Sequence, residues 1–241
     1  MKTKISRFIC AITLTVIQVQ TSNAQDLQKI ANLHLKATTQ EKRSEIRSIF
    51  MEVREIYDDG HVTEYSIIKK KPNKIRIEGV WEGKNYIKAF DGIRGWTIAP
   101  WTGVSIPQLM TEGEIEEIRN IERIDSPIFE SLNEGHQMSL IEDKMINGER
   151  FYCVRVVASH RPVVDYLINK NDYLLYKSLR YNINNIQELE EEVFYKDYKK
   201  QAEIMLPTSY EIRRDGKSVD IVIKEMIIGF GAPDSFFKKP E

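Results

Sequence analysis

Most of this chain alternates, and the alternation is broken by short turns, not by helical crossovers. From Ile46 the apolar residues recur at every second position: Ile49, Met51 and Val53 share one side of a first stretch, with Glu52 and Arg54 on the other. Asp58-Asp59-Gly60 turns the chain into Thr63, Tyr65 and Ile67. A basic run, Lys69-Lys70-Lys71-Pro72, leads to Ile75 and Ile77, which alternate with Lys74, Arg76 and Glu78. Glu82-Gly83-Lys84 then turns into Asn85 to Phe90. Period-2 stretches joined in this way specify antiparallel neighbours, because a parallel pair would need a crossover of a dozen or more residues.

The pattern resumes after an interruption. Met138–Ile146 meets Arg150–Ala158 through Asn147-Gly148, the strongest hairpin signal in the chain. Val163–Ile168, Tyr173–Tyr181, Val193–Tyr198, Met205–Arg213 and Ser218–Ile228 follow, the last two joined by Asp215-Gly216. The expectation is a mainly β (α+β) chain of about eleven strands. Twist accumulates over so long a meander and flat edges invite aggregation, so the antiparallel sheet curls into a barrel or a half-barrel. A barrel of more than about eight strands has room inside for something besides its own side chains.

The interruption is centred on Asp91–Gly103, DGIRGWTIAPWTG, where two tryptophans, Trp96 and Trp101, fall close together. Trp96 and Ile98 share one face of a short strand, Gly95 reads as a point of backbone freedom, and Pro100 ends the strand. A helical stretch follows. Ile115, Ile118 and Ile121 step by three among charged residues, the stripe of a surface helix, with Thr111 and Glu114 spaced as a capping box. Ser126-Pro127 starts a second short helix carrying Ile128, Phe129 and Leu132. This segment reads as a helical lid laid over the apolar face of the sheet.

At the N-terminus, Lys2, Lys4 and Arg7 precede an apolar run from Phe8 to Ile17, and Ser22-Asn23-Ala24 supplies small residues. That is the pattern of a cleaved secretory signal, too short to span a bilayer, with cleavage expected after Ala24 and a periplasmic location for residues 25–241, read as one domain. No small residue precedes Cys10, so no lipid attachment is expected there. Asp26–Glu45 reads as one helix with Leu27, Ile30, Leu33 and Ala37 on its stripe and His34 beside it as a satisfied histidine.

Without residues 1–24 the chain has Lys+Arg 32 against Asp+Glu 36, a net charge of −4. That balance argues against nucleic acid as the main partner and offers no polybasic patch for an anionic membrane. Cys153 alone remains, mid-strand, and reads as a buried thiol. The histidines His34, His61, His136 and His160 are scattered, with no metal-ligand spacing, and neither a nucleophile elbow nor a phosphate-binding glycine loop occurs. No metal, no cofactor and no catalytic residue is expected, and the chain reads as not an enzyme.

Four strings carry a family resemblance: KPNKIRIE (Lys71–Glu78), KAFDGIRGWTIAPWTG (Lys88–Gly103), DYLINKNDYLLYKS (Asp165–Ser178) and the closing Phe236-Phe237-Lys238-Lys239-Pro240. With the export signal, they make the chain resemble the LolA/LolB-like outer membrane lipoprotein-sorting family. The resemblance implies an unclosed barrel, covered by helices, around an apolar cavity that takes the acyl chains of lipoproteins or another lipid and passes them from inner- to outer-membrane partners. It implies a monomer. It also implies that Trp96, Pro100 and Trp101 lie near the cavity mouth, with Ile98 beside them and Met51, Val53, Tyr65, Ile67, Ile75, Ile77 and Phe90 on the lining strands. Ile115, Ile118, Ile121 and Phe129 would then be lid contacts. Arg54 is set against the arginine by which the family's carrier holds its lid shut. The alternative use of the same fold is a sensor or protein-interaction module.

Overall fold

The computed structural model describes residues 25–121 and 123–240; the expected signal segment lies outside the described residues. Helix α1 spans 25–37 and α2 spans Gln40–Glu45. The single helix expected over Asp26–Glu45 is therefore broken at Thr38-Thr39, where Thr39 adopts the left-handed conformation (φ 53°). Strands β1 to β5 are Ser48–Tyr57, Val62–Lys70, Lys74–Trp81, Lys84–Phe90 and Gly95–Ala99. A 3-10 turn at Pro100–Thr102 leads to β6 (Val104–Leu109), α3 (Glu112–Ile121) and α4 (Pro127–Asn133). Strands β7 to β13 are Gln137–Ile146, Glu149–Val157, Val164–Asn169, Leu175–Asn182, Asn185–Gln201, Ile204–Arg214 and Lys217–Ile228. A second 3-10 turn, Asp234–Phe237, closes the described chain.

The strands form one antiparallel thirteen-stranded sheet in the order β6-β5-β4-β3-β2-β1-β13-β12-β11-β10-β9-β8-β7. Strands β6 and β7 are its two ends and do not pair with each other, so the sheet is unclosed. Part of the excess over the expected strand count is β6, whose Pro107 and polar neighbours hide it in the sequence. An edge strand tolerates a proline because one of its sides needs no donor.

The described residues group into two compact units: 25–37 with Ile128–Glu190, and Thr38–Pro127 with 191–240. In the first, α1 buries Ile30, Ala31 and His34, and His34 Nδ1 lies 2.8 Å from the Tyr173 carbonyl oxygen. Phe151, Cys153 and Leu167 form a cluster on neighbouring strands, with Ile141, Tyr176 and Leu179 against it. Arg155 donates two hydrogen bonds of 2.7 Å to Asp165, which also accepts one from the Tyr181 hydroxyl at 3.0 Å.

In the second unit the register sets two faces. One row, Phe50-Ile68-Arg76-Ala89-Trp96, crosses β1 to β5. The C-terminal segment lies on it: Trp96 Nε1–H donates to the Phe237 carbonyl at 2.9 Å, Arg76 donates to the Phe236 carbonyl at 2.6 Å, and Lys70 and Lys74 pair with Asp234 at 2.6 and 2.7 Å. We call this the tail face. The opposite rows carry Ile49-Lys69-Ile75-Phe90, Met51-Ile67-Ile77 and Val53-Tyr65-Gly79-Tyr86. This second face is covered by α3 and is called here the helix face.

Candidate functional site

The apolar residues of the helix face form one cluster, in which Met51, Val53, Ile67, Ile75, Ile77 and Phe90 from the strands meet Ile115 and Ile118 from α3. Ile46, Ile49, Met110, Ile124, Ile204 and Leu206 complete it, with Ile221, Ile223 and Met226 of β13 packed alongside. The third residue of the α3 stripe, Ile121, is exposed (44%). The helix starts on the capping box read from the sequence. The Thr111 amide donates to Glu114 Oε2 at 2.8 Å and the Glu114 amide donates to Thr111 Oγ1 at 3.3 Å. The bond from the Thr111 amide first, and then one of 2.9 Å from the Thr111 hydroxyl, hold the Glu114 carboxyl below its usual range.

Two anchors hold α3 down. At its start, Met110 and Ile115 lie on Gly95: a β-carbon there would stand 2.6 Å from Met110 Sδ and 3.1 Å from Ile115 Cγ1. Gly95 is thus needed for close approach. The sequence had suggested instead a freely turning backbone, but Gly95 carries no left-handed φ. Past its end, Lys71 forms a 2.6 Å ion pair with Asp125, with both side chains largely buried (17% and 15% exposed), and donates to the carbonyls of Arg43 and Ser44. Gln40 Nε2 donates to Asp125 at 2.8 Å, and its Oε1 accepts from the Ser126 amide at 3.0 Å.

Several expected site residues lie elsewhere. Trp96 and Ile98 belong to the tail face, because Phe90 pairs with Gly95 and Ala89 with Trp96 across the turn. Arg54 also points away from α3 and pairs with Glu64 at 2.6 Å, so it does not hold the helix. Phe129, half-buried on α4, belongs to the other unit. Trp101, 45% exposed in the 3-10 turn, packs edge-on against Tyr86 (5.6 Å) and Trp81 (6.2 Å).

One end of the helix face is polar and aromatic. Glu55 continues the Met51-Val53 parity of β1, so a carboxylate stands where an apolar residue is expected. The Tyr65 hydroxyl donates to Glu55 Oε1 at 2.5 Å and the Tyr57 hydroxyl to Oε2 at 2.8 Å. Burial, then the Glu55 charge, drives Tyr65 far above the usual phenol range, and the same causes push Tyr57 and Tyr86 up to about 12. The Tyr86 ring lies across Gly79, where a β-carbon would come within 2.5 Å of it. Sequence reasoning selected Tyr65 but missed Glu55, Tyr57 and Tyr86; the lone charge at a core-facing parity was the available signal.

A cleft of about 590 Å³ lies in the first unit, lined by α1 (Asp26, Lys29, Ile30, Leu33), β7 (Leu140 to Asp143), Tyr152, Lys170 and Tyr173. Lys170 sits over the Tyr152 ring at 4.2 Å and pairs with Asp143. Among the described residues, no group of three or more His, Cys, Asp or Glu side chains is placed to hold a metal ion, and no helix is long and apolar enough to cross a membrane.

No family model matches the sequence, and no curated protein matches it. Solved structures do. A LolA superfamily protein from Nitrosomonas europaea is 16% identical with a TM-score of 0.60, covering 90% of this chain and 98% of its own. A DUF1329 family protein from Desulfovibrio piger is 13% identical with a TM-score of 0.64, covering 88% and 97%. A domain named for outer membrane lipoprotein sorting, from Vibrio parahaemolyticus, is 11% identical with a TM-score of 0.62, covering 88% and 97%. The chain therefore has the LolA-like fold, an unclosed antiparallel sheet with a few helices.

Proposed function

We propose that the protein is a non-enzymatic periplasmic carrier that binds the acyl chain of a lipoprotein, or of another lipid, on the helix face of the second unit and releases it toward the outer membrane. In this reading α3 is the lid. The observation that carries it is the make-up of the apolar cluster: two isoleucines of one short, separately anchored helix occupy a face built mostly by strands. Such a helix can exchange its own contacts for those of a hydrocarbon tail. Each buried methylene contributes about 0.8 kcal/mol and each buried isoleucine about 1.5–3 kcal/mol, so the tail offsets the loss of Ile115 and Ile118 within roughly four to eight carbons. The fold, shared with a structure named for lipoprotein sorting, supports the same reading.

The test is Ile118→Asp, measured for retention of a fluorescent fatty-acyl probe and for folding stability. The carrier reading expects retention to fall by more than stability does, and wild-type protein to carry lipid in native mass spectrometry. Equal loss of both would make α3 ordinary core. A wild-type protein that is always empty and binds no acyl probe would end the reading.

One observation favours a second reading, a module that docks a protein partner. Ile93 (81% exposed), Ile106 (66%) and Leu109 (63%) leave apolar surface around the β5–β6 edge. Replacing Ile106 and Leu109 by serine would abolish partner capture under that reading and leave acyl binding intact.

A further inference from the structure

We propose that the tyrosine end of the helix face is a head-group site, in which Glu55 and the rings beside it take the positively charged ammonium head of an amphiphile. This deepens the carrier reading and rests on it. The geometry has three parts. First, the carboxylate is held but not neutralised. Two tyrosine hydroxyls each satisfy one oxygen, and among the described residues no lysine or arginine forms an ion pair with Glu55. A carboxylate offers about four lone-pair sites, so acceptor capacity remains after both tyrosines have bonded.

Second, the surrounding side chains are aromatic. Tyr57 and Tyr65 bond the carboxylate itself, and Tyr86, Trp101 and Trp81 form an edge-to-face chain from the same face. Ring faces attract an ammonium group through their quadrupole, most strongly when it is partly desolvated. Both tryptophans are partly exposed (Trp81 37%, Trp101 45%), so a ligand head can reach them. Gly79, by lacking a side chain, leaves the space in which the Tyr86 ring lies.

Third, the site borders the apolar cluster, since Tyr65 and Tyr86 pack against it. A hydrocarbon tail on the helix face would thus have its head at Glu55. Lys84 and Lys88 lie on the Tyr86 side of β4. Lys84 is exposed, where solvent and salt screen it, and Lys88 acts on Glu114. An anionic head meets the Glu55 charge with no paired cation to offset it, whereas an ammonium head complements it.

The experiment compares decyltrimethylammonium with decyl sulfate, which share a tail and differ in head charge, each below its aggregation concentration. Binding is read by calorimetry and by the fluorescence of Trp81 and Trp101. The wild-type protein is expected to prefer the ammonium amphiphile by about tenfold, the scale of a partly desolvated cation–aromatic contact. Glu55→Gln, which keeps an acceptor for the tyrosines, should lose that preference while retaining its affinity for the sulfate. Trp101→Leu, at an exposed position that leaves Glu55 untouched, should weaken ammonium binding alone and serves if Glu55→Gln fails to fold. Equal affinity for both amphiphiles, or a preference that survives both substitutions, overturns the head-group site and leaves the carrier reading standing. Binding of neither amphiphile overturns the carrier reading itself.

Discussion

Gly95→Ala tests how α3 is seated. The added methyl would stand 2.6 Å from Met110 Sδ and 3.1 Å from both Met110 Cβ and Ile115 Cγ1. The sulfur ends a flexible side chain, but swinging it aside takes it out of its place in the apolar cluster. Met110 Cβ moves only with its backbone, and Ile115 Cγ1 only by leaving its rotamer within the packed cluster. Overpacking of this kind costs about 1–3 kcal/mol. At this chain length each kcal/mol lowers Tm by about 2–4 °C, so the expected fall is roughly 2–12 °C. Met110→Ala removes one of the two clashing side chains beyond its β-carbon. In that background Gly95→Ala should cost about 1 kcal/mol less than it does alone, a coupling measurable by urea denaturation in a double-mutant cycle. A Gly95→Ala protein as stable as wild type, or penalties that simply add, would refute the close-approach argument. If α3 is a lid, the same substitution should also speed uptake of an acyl probe.

Three further outcomes follow from the charges and the thiol. Asp234, between Lys70 and Lys74, has its carboxyl held at about 2 against an ordinary 3.8, by hydrogen bonds first from Lys70 and then from Lys74. A depressed carboxyl stabilises the fold above its unfolded value, so this contribution is present above about pH 4 and is lost as pH falls towards 2. Nuclear magnetic resonance titration should place its midpoint near 2, and Asp234→Asn should remove that part of the acid dependence. Burial first, then the Asp165 charge, pushes the Cys153 thiol up to about 12; it should resist alkylation at pH 8 in the folded protein and react once urea unfolds it. Lys71→Met leaves Asp125 largely buried without its cation and should cost about 3 kcal/mol by denaturant titration.

The alternation along the chain made most strands legible, as the Asn147-Gly148 turn shows with both residues at positive φ (51° and 83°). The capping box at Thr111 was legible for the same reason: it depends on local spacing alone. What failed was parity carried across turns. Asp91 Oδ1 accepts from the amides of Ile93 and Arg94 at 2.8 Å, and that turn fixes Phe90 opposite Gly95. Nothing in the period of β4 or β5 dictates that register, so Trp96 was placed with the wrong partners. The break at Thr39 was hidden because the apolar spacing of α1 ends at Ala37 and the polar residues of α2 neither continue nor contradict it. Glu55 escaped notice because the alternation was followed only as far as Val53 and Arg54, one position short of the carboxylate.

The pairing of β1 with β13 joins segments that are far apart in the sequence, Ile49 lying opposite Ile228 and Tyr57 opposite Val219. Strands β7 to β10, by contrast, pair only with their immediate successors. Contacts between distant segments close late, because the intervening loop must first lose its freedom. The first unit's hairpins can therefore form from local segments alone, while the second unit waits for its returning strands. Until they arrive, Met51 and Val53 have only one neighbouring strand, and the folding chain presents an unpaired apolar edge open to aggregation.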